Sequence, residues 1–87
     1  MSKKEVLIYI GGNSKRNKKL LEQLDDWEID YKKKNVIENP KFMKELQDKG
    51  IFATPATFID GDPILGLQLN KIKHALEIRN TGFGNND

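Results

Sequence analysis

The chain has 87 residues, carries a formal net charge of +2 and contains no cysteine. A chain of this length with 37% hydrophobic residues folds around one modest core. Without cysteine, the chain as written cannot form disulfides, thiolate metal sites or iron–sulfur clusters, and it cannot perform thiol redox chemistry. The single histidine, His74, argues against a metal site and against a serine–histidine relay.

The extent of the domain and its location are also predicted from composition. We expect residues 1–79 to form a single domain and the polar, glycine-rich residues 80–87 to form a flexible C-terminal tail. The longest apolar run, Val6–Ile10, is far shorter than the ~20 residues of a membrane span. No secretory leader is evident, so we expect a cytoplasmic protein that does not enter a membrane.

Basic residues cluster within residues 15–19 and 32–34, but acidic residues nearly balance them over the whole chain. A free-standing nucleic-acid-binding domain usually carries a stronger basic excess. We therefore interpret these clusters as solvated faces first. A nucleic acid is the least favoured partner.

The first two elements are a strand and a helix. Val6–Ile10 is apolar at every position, which is typical of a central strand covered on both faces. Gly11 and Gly12 end this strand, and either Asn13 or Ser14 can cap the helix that follows. The predicted helix turns one stripe of side chains toward the core, at spacings of three and four residues: Asn17, Leu20, Leu21 and Leu24.

A second strand is predicted where Trp27, Ile29 and Tyr31 alternate with polar residues. This period of two is typical of a half-buried strand on the outside of a sheet. Its strand character fades through the lysines at residues 32–34.

A helix start follows at Asn39, which can cap the helix, with Pro40 in the first turn. Gly50 predicts the end of this helix, since glycine accepts the left-handed conformation found after many helices. Ala56–Ile59 is then a strand, and residues 60–63 have the composition of a turn.

The last elements are a returning strand that begins at Ile64 and a third amphipathic helix. That helix is indicated by its apolar stripe: Leu69, Ile72, Ala75 and Leu76. A strand–helix–strand unit makes two parallel neighbours, to which the final hairpin adds antiparallel. The predicted fold is of the α/β class. It is a thioredoxin fold with a four-stranded mixed sheet flanked by three helices, in the order βαβαββα.

Two segments resemble glutaredoxins, and with the elements between them the resemblance spans about residues 5–78. Residues 6–21, VLIYIGGNSKRNKKLL, resemble the opening of a glutaredoxin, where a strand leads into a Cys-x-x-Cys motif at a helix start. Residues 50–66, GIFATPATFIDGDPILG, resemble the cis-proline strand and the following hairpin of glutaredoxins and disulfide isomerases. The resemblance implies a cis Thr54–Pro55 peptide bond near the first helix, preceded by backbone that pairs with bound peptide or glutathione.

The chain departs from the glutaredoxin pattern where the chemistry of that family occurs. Ser14 and Asn17 occupy the two cysteine positions, and a helix start that lowers the pKa of a thiol does not ionise a hydroxyl near neutral pH. No catalytic residue is therefore expected. Glutaredoxins usually carry acidic residues for glutathione after the hairpin glycine, whereas Gly66 is followed by Leu67-Gln68-Leu69. This difference argues against glutathione as a ligand.

A more distant similarity is to a family without these cysteines. Residues 9–14, 36–40 and 53–55 are similar to the KaiB family of circadian clock proteins, which adopts a thioredoxin-like fold in one of its states. The similarity ends after Pro55, where the chain has an Asp-Gly hairpin instead of a proline-rich segment. We interpret it as a precedent for a binding role and not as evidence of a clock component.

Alternatives stay open for the residues at the two cysteine positions. Ser14 can be only a helix cap, an anion ligand among its basic neighbours, or a nucleophile. The cap is favoured because it requires no other group. Asn17 can be a polar residue at the rim of the core, or it can hydrogen-bond the Thr54–Pro55 loop in the space of the missing cysteine.

The favoured function is a binding module for an extended peptide, a protein partner or an anion, with no cofactor and no metal. The predicted binding residues are Asn13, Ser14, Lys15, Arg16, Asn17, Thr54 and Pro55. The alternative is a thiol–disulfide oxidoreductase of the glutaredoxin type, whose nucleophilic cysteine is replaced by Ser14 in this chain.

Overall fold

The strands and helices occur in the predicted order in the computed structural model, which describes residues 4–12 and 14–78. The strands are β1 (Val6–Ile10), β2 (Lys32–Asn35), β3 (Ala56–Ile59) and β4 (Asp62–Leu65). The helices are α1 (Lys15–Asp26), α2 (Pro40–Asp48) and α3 (Leu69–Ala75). Asn13 and the predicted tail, residues 80–87, lie outside the described residues.

The four strands form one mixed sheet in the order β2-β1-β3-β4. β1 pairs parallel with β2 and antiparallel with β3, and β3 pairs antiparallel with β4. This arrangement confirms the predicted thioredoxin fold. None of the helices in the described part of the chain is long and apolar enough to cross a membrane.

The sheet separates two apolar clusters, and β1 contributes to both. Helices α1 and α3 cover the first cluster, whose buried members are Val6, Ile8, Ile10, Leu20, Leu24, Ile59, Ile64 and Ile72. Helix α2 covers the second, whose buried members are Tyr9, Val36, Leu46, Ile51, Ala56 and Phe58. Because successive side chains of a strand point to opposite faces, a strand covered on both sides is apolar throughout, as predicted for β1.

The position predicted for the second strand was wrong. The strand β2 begins with the lysines at residues 32–34. Residues 27–31, which were predicted to form the strand, instead connect α1 to β2. Two residues after α1, Glu28 has the left-handed conformation (φ 59°), and the Ile29 amide donates to the Leu24 carbonyl at 2.9 Å. The apolar side chains of this connection pack on the first cluster. β2 lies at a sheet edge, where lysines discourage pairing with another sheet.

The hairpin between β3 and β4 is tighter than predicted. Its turn contains only Asp60 and Gly61, with φ of 50° and 90°, and β4 begins at Asp62 instead of Ile64. Two consecutive positive φ angles are typical of the hairpin turns that Asp-Gly favours. Pro63 lies on the outer strand of the sheet, where a proline disrupts the hydrogen-bonded ladder least.

The caps of α2 lie where the sequence predicted them. The Asn39 side chain accepts a hydrogen bond from the Lys41 amide at 3.0 Å, and Pro40 is the first helical residue. After the helix, Gly50 has a φ of 78°, and the Ile51 amide donates to the Leu46 carbonyl at 3.1 Å. These bonds fix where the chain leaves α2 toward β3.

A buried hydroxyl beside the first cluster gives a stability prediction. Thr57 is fully buried in β3 between Ile8 and Ile64, and its Oγ1 has no hydrogen-bond partner among the described residues. Because a buried hydroxyl without a partner costs free energy, Thr57→Val should raise the free energy of unfolding by about 1 kcal/mol in urea denaturation. Thr57→Ser, which keeps the hydroxyl and removes the methyl group, should lower it. A less stable valine variant would contradict the prediction.

Candidate functional site

The turn between β1 and α1 holds Ser14 as a helix cap. Its Oγ accepts a hydrogen bond from the Asn17 amide at 3.2 Å, and its carbonyl accepts from the Lys18 amide at 3.1 Å. Gly12, with a φ of 88°, allows the chain to bend into this cap. The cap predicted for Ser14 is therefore present, and the residue is exposed at the start of α1.

The buried side chain of Asn17 stabilises the same turn. Its side chain is 2% exposed, and its Nδ2 donates to the Gly12 carbonyl at 3.3 Å. The alternative that Asn17 hydrogen-bonds the Thr54–Pro55 loop is therefore wrong for the described residues. Its Oδ1 is buried without a partner among them. Asn17 therefore stabilises the turn from the interior and is not exposed on its surface.

The Thr54–Pro55 loop packs directly on the end of β1. Its peptide bond is cis. The Thr54 Oγ1 lies 2.7 Å from the position that a Cβ on Gly11 would occupy, so only glycine allows this approach. On the other side of the loop, the Pro55 carbonyl accepts a hydrogen bond from the Gly66 amide at 2.8 Å. The loop is thus held between β1 and the end of β4.

The Arg16 side chain extends from α1 to Gly66, the residue that hydrogen-bonds the Thr54–Pro55 loop. One terminal nitrogen of its guanidinium lies 3.1 Å from the position that a Cβ on Gly66 would occupy. Arg16 and Lys15 are exposed in the first turn of α1, which contains no acidic residue. Because a helix N-terminus already carries partial positive charge, basic side chains there make the surface more positive.

The structure therefore brings most of the predicted binding residues together. Ser14, Arg16 and Thr54 border one surface, with Pro55 and Asn17 buried beneath it. The predicted site did not include Gly11, against which Thr54 packs, or Gly66, against which the Arg16 guanidinium lies. Both are glycines next to strand ends, which is the sequence signal for a close approach of backbone.

The contact between the two loops can be tested by a double-mutant cycle. In Gly11→Ala the new methyl group would collide with the Thr54 side chain, so we expect a loss of about 1–3 kcal/mol in the free energy of unfolding. Thr54→Ala removes Oγ1 and leaves room for that methyl group. The double variant should therefore recover most of the loss in urea denaturation. Additive losses would show that the two loops do not touch.

A second polar cluster joins α2 to the sheet, away from this surface. The Tyr9 hydroxyl and the Lys34 ammonium both donate to Glu45 Oε1, at 2.9 Å and 2.8 Å. Lys34 also lies 5.5 Å from the centre of the Tyr9 ring. Burial, followed by the bond to Glu45, raises the pKa of Tyr9, so the phenol stays a donor at neutral pH. No sequence pattern pointed to these residues, because they come from three separate elements: β1, β2 and α2.

Acid should weaken this cluster. The hydrogen bonds from Lys34 and then from Tyr9 lower the pKa of Glu45 below its ordinary value of 4.5. The contribution of Glu45 is therefore complete above pH 4.5 and is lost as the pH falls through the lowered pKa. We expect Glu45→Gln to lower the free energy of unfolding by a constant amount between about pH 5 and pH 8, and by less in more acidic urea titrations.

The matched control is Glu38→Gln, which changes an exposed carboxylate outside the cluster. Its effect on the free energy of unfolding should be small at neutral pH. A deficit in Glu45→Gln that persists unchanged in acid would mean that the Glu45 charge does not stabilise the fold.

No protein-family model and no curated protein matches the chain. Solved structures do match. The thioredoxin-like protein BC3987 aligns with a TM-score of 0.78 at 22% identity, over 83% of this chain and 100% of that one. The glutaredoxin from Archaeoglobus fulgidus aligns with a TM-score of 0.73 at 22% identity, over 87% and 88%. An arsenical resistance operon trans-acting repressor from Bacteroides vulgatus aligns with a TM-score of 0.56 at 17% identity, over 91% and 97%.

These likenesses establish a thioredoxin-like fold. One fold carries proteins with names as different as glutaredoxin and repressor, so the function has to be argued from the site. The chain has the glutaredoxin-like arrangement of strand, turn and helix, with hydroxyl and amide side chains in place of thiols. In the described residues, no three His, Asp or Glu side chains converge as a metal site would require.

Proposed function

We propose that this chain is a non-catalytic binding module, which holds an extended segment of a partner protein between the β1–α1 turn and the Thr54–Pro55 loop. The chemistry of the site supports this proposal over catalysis. The Ser14 hydroxyl acts as a helix cap, and the single histidine is exposed on α3. A serine without a neighbouring base is a weak nucleophile.

The backbone of Thr54 carries the proposal. From Ala56 onward, β3 is paired on both sides, to Tyr9 and to Leu65. Thr54 precedes this paired region, and its backbone makes no hydrogen bond to the other described residues. Backbone N–H and C=O groups need partners, and an extended peptide supplies them when it adds as a short strand. The packing of Thr54 on Gly11 holds this backbone in place before a ligand arrives.

The proposal can be tested with peptides selected for binding to the chain. A displayed library of random linear peptides is screened against the immobilised protein, and the best binder is synthesised. In ¹H–¹⁵N spectra the amide signals of Ser14, Arg16 and Thr54 should move when this peptide is added. A footprint elsewhere, such as the concave surface that includes Leu7, would contradict the proposal.

Backbone pairing is tested by N-methylation of the same peptide. In a strand, alternate amides point toward the neighbour. Methylation of one alternating set should therefore abolish binding, and methylation of the other set should leave the Kd within about threefold, or less than 1 kcal/mol. Equal effects of the two sets would show that the peptide is not held by strand addition.

The alternative function is a glutaredoxin-type oxidoreductase whose nucleophilic cysteine is replaced by Ser14. It is favoured by the exposed position of Ser14 at the start of α1, in a fold shared with a glutaredoxin. The variant Ser14→Cys separates the two functions. On our proposal it should reduce a glutathione mixed disulfide no faster than an unstructured cysteine peptide at the same pH. Sustained turnover by this variant, absent from the unaltered chain, would support the oxidoreductase.

A further inference from the structure

Three large apolar side chains are exposed around the proposed binding surface. Ile37, Phe52 and Leu65 are 67%, 74% and 45% exposed, and they are the large hydrophobic residues exposed in the described part of the chain. Most surface apolar residues are scattered singly and need no explanation, whereas a group around one site indicates an interaction surface.

One contact, the strand register and the position in the chain place these residues near the two loops. The Cγ1 atom of Ile37 lies 4.0 Å from the position of a Cβ on Gly12, beside the β1–α1 turn. Leu65 pairs with Ala56, directly after the Thr54–Pro55 loop.

Phe52 is two residues before Thr54, within the ~7 Å that two residues of extended chain can span. Ile37 follows β2, Phe52 precedes β3 and Leu65 ends β4, so all three lie at one end of the sheet; we define them together as the apolar rim.

The positive charge of the same surface is not neutralised within the described residues. Lys15 and Arg16 take part in neither of the ion pairs found there, which join Lys4 to Glu77 and Lys34 to Glu45. No acidic side chain occupies the first turn of α1. A ligand carboxylate would find the Arg16 guanidinium beside Gly66, with Lys15 exposed at the preceding position of the helix.

We propose that the partner segment is both acidic and apolar: a linear stretch of a protein that places large apolar side chains on the rim and a carboxylate between Lys15 and Arg16. This inference rests on the proposed function and specifies its partner. An extended chain suits both contacts, because alternate side chains point in opposite directions about 3.3 Å apart along the strand. One set can contact the rim while the other reaches the cations.

The charge and the rim have different roles in this recognition. Exposed charges accelerate association and select against basic partners, and their effect falls as salt screens them. Burial of Phe52 and its neighbours against the partner supplies affinity that salt does not screen. Binding should therefore weaken with salt but persist at high ionic strength.

The inference is tested with three short capped peptides of one length, titrated by fluorescence anisotropy and by ¹H–¹⁵N spectra. In the first peptide leucine and glutamate alternate directly, the second replaces each glutamate with lysine, and the third replaces each leucine with serine. The first should bind about tenfold more tightly than either of the others, a difference of about 1.4 kcal/mol. Its Kd should rise between low salt and high salt.

Two variants separate the two contacts. Arg16→Glu should weaken the acidic peptide about tenfold and strengthen the basic one, whereas Phe52→Ser should weaken both apolar peptides about equally. Since Phe52 is 74% exposed, its replacement should leave the melting temperature almost unchanged. The control is Lys44→Glu, the same kind of charge reversal at an exposed residue of α2, which should leave all three Kd values unchanged.

The outcomes distinguish this inference from the proposed function. If the basic peptide, or the peptide without leucine, binds as tightly at the same amides, the inference is overturned and the binding module stands. If the peptide found by library selection also leaves the amide signals of Ser14, Arg16 and Thr54 unchanged, the proposed function is overturned as well. A thymidine oligonucleotide that displaces the acidic peptide and binds more tightly would overturn the inference in favour of a nucleic-acid partner, since Phe52 could then stack on a base.

Discussion

The close approach of Thr54 to Gly11 determines the geometry on which the site depends. A side chain at position 11 would collide with Oγ1, so the absence of a Cβ lets the loop before β3 rest on the end of β1. The hydrogen bond from Gly66 to Pro55 then holds that loop from the other side. Two glycines from distant parts of the chain thereby place the backbone of Thr54 beside the start of α1. Because the packed sheet supports these contacts, the fold itself forms this surface.

The sequence contained enough information for the fold because its strongest signals were local. The apolar run of β1 indicates burial on both faces of the sheet. The Asn39-Pro40 pair indicates where α2 begins, and Gly50 indicates where it ends. Each signal depends on the conformation of a few neighbouring residues, so the residues themselves reveal it.

Strand β2 was misplaced because its position is decided by distant contacts. Trp27 and its apolar neighbours contact the first cluster without being a strand. The lysines form a strand because β1 offers them a free edge. A pattern of alternation cannot distinguish these cases when the strand lies at an edge and needs no buried side chains.

For the candidate site, the sequence indicated which residues lie near one another better than which hydrogen bonds they make. Ser14 and Thr54 lie where the resemblance implied, but the hydrogen bond of Asn17 goes to Gly12 instead of the loop. Which of two acceptors an amide chooses depends on distances of less than an ångström, which no spacing in the sequence encodes. The apolar rim was missed for a related reason. Phe52 is exposed and Phe58 is buried, and the sequence does not distinguish them because burial depends on the packing of the whole fold.

The β1–α1 turn carries a hydroxyl and an amide at the positions where the glutaredoxin pattern has thiols, and these two groups determine its chemistry. A hydroxyl accepts the Asn17 amide at the helix start, a hydrogen bond that thiol sulfur makes only weakly. The amide of Asn17 in turn closes on the Gly12 carbonyl. Both polar groups therefore hold the turn in one conformation, where cysteines would exchange bonds with a substrate. A fixed turn loses less conformational entropy when a ligand binds. The hydroxyl and the amide thus give the turn a fixed shape and no thiol chemistry, and among the described residues the backbone of Thr54 and the cations Lys15 and Arg16 are left without partners.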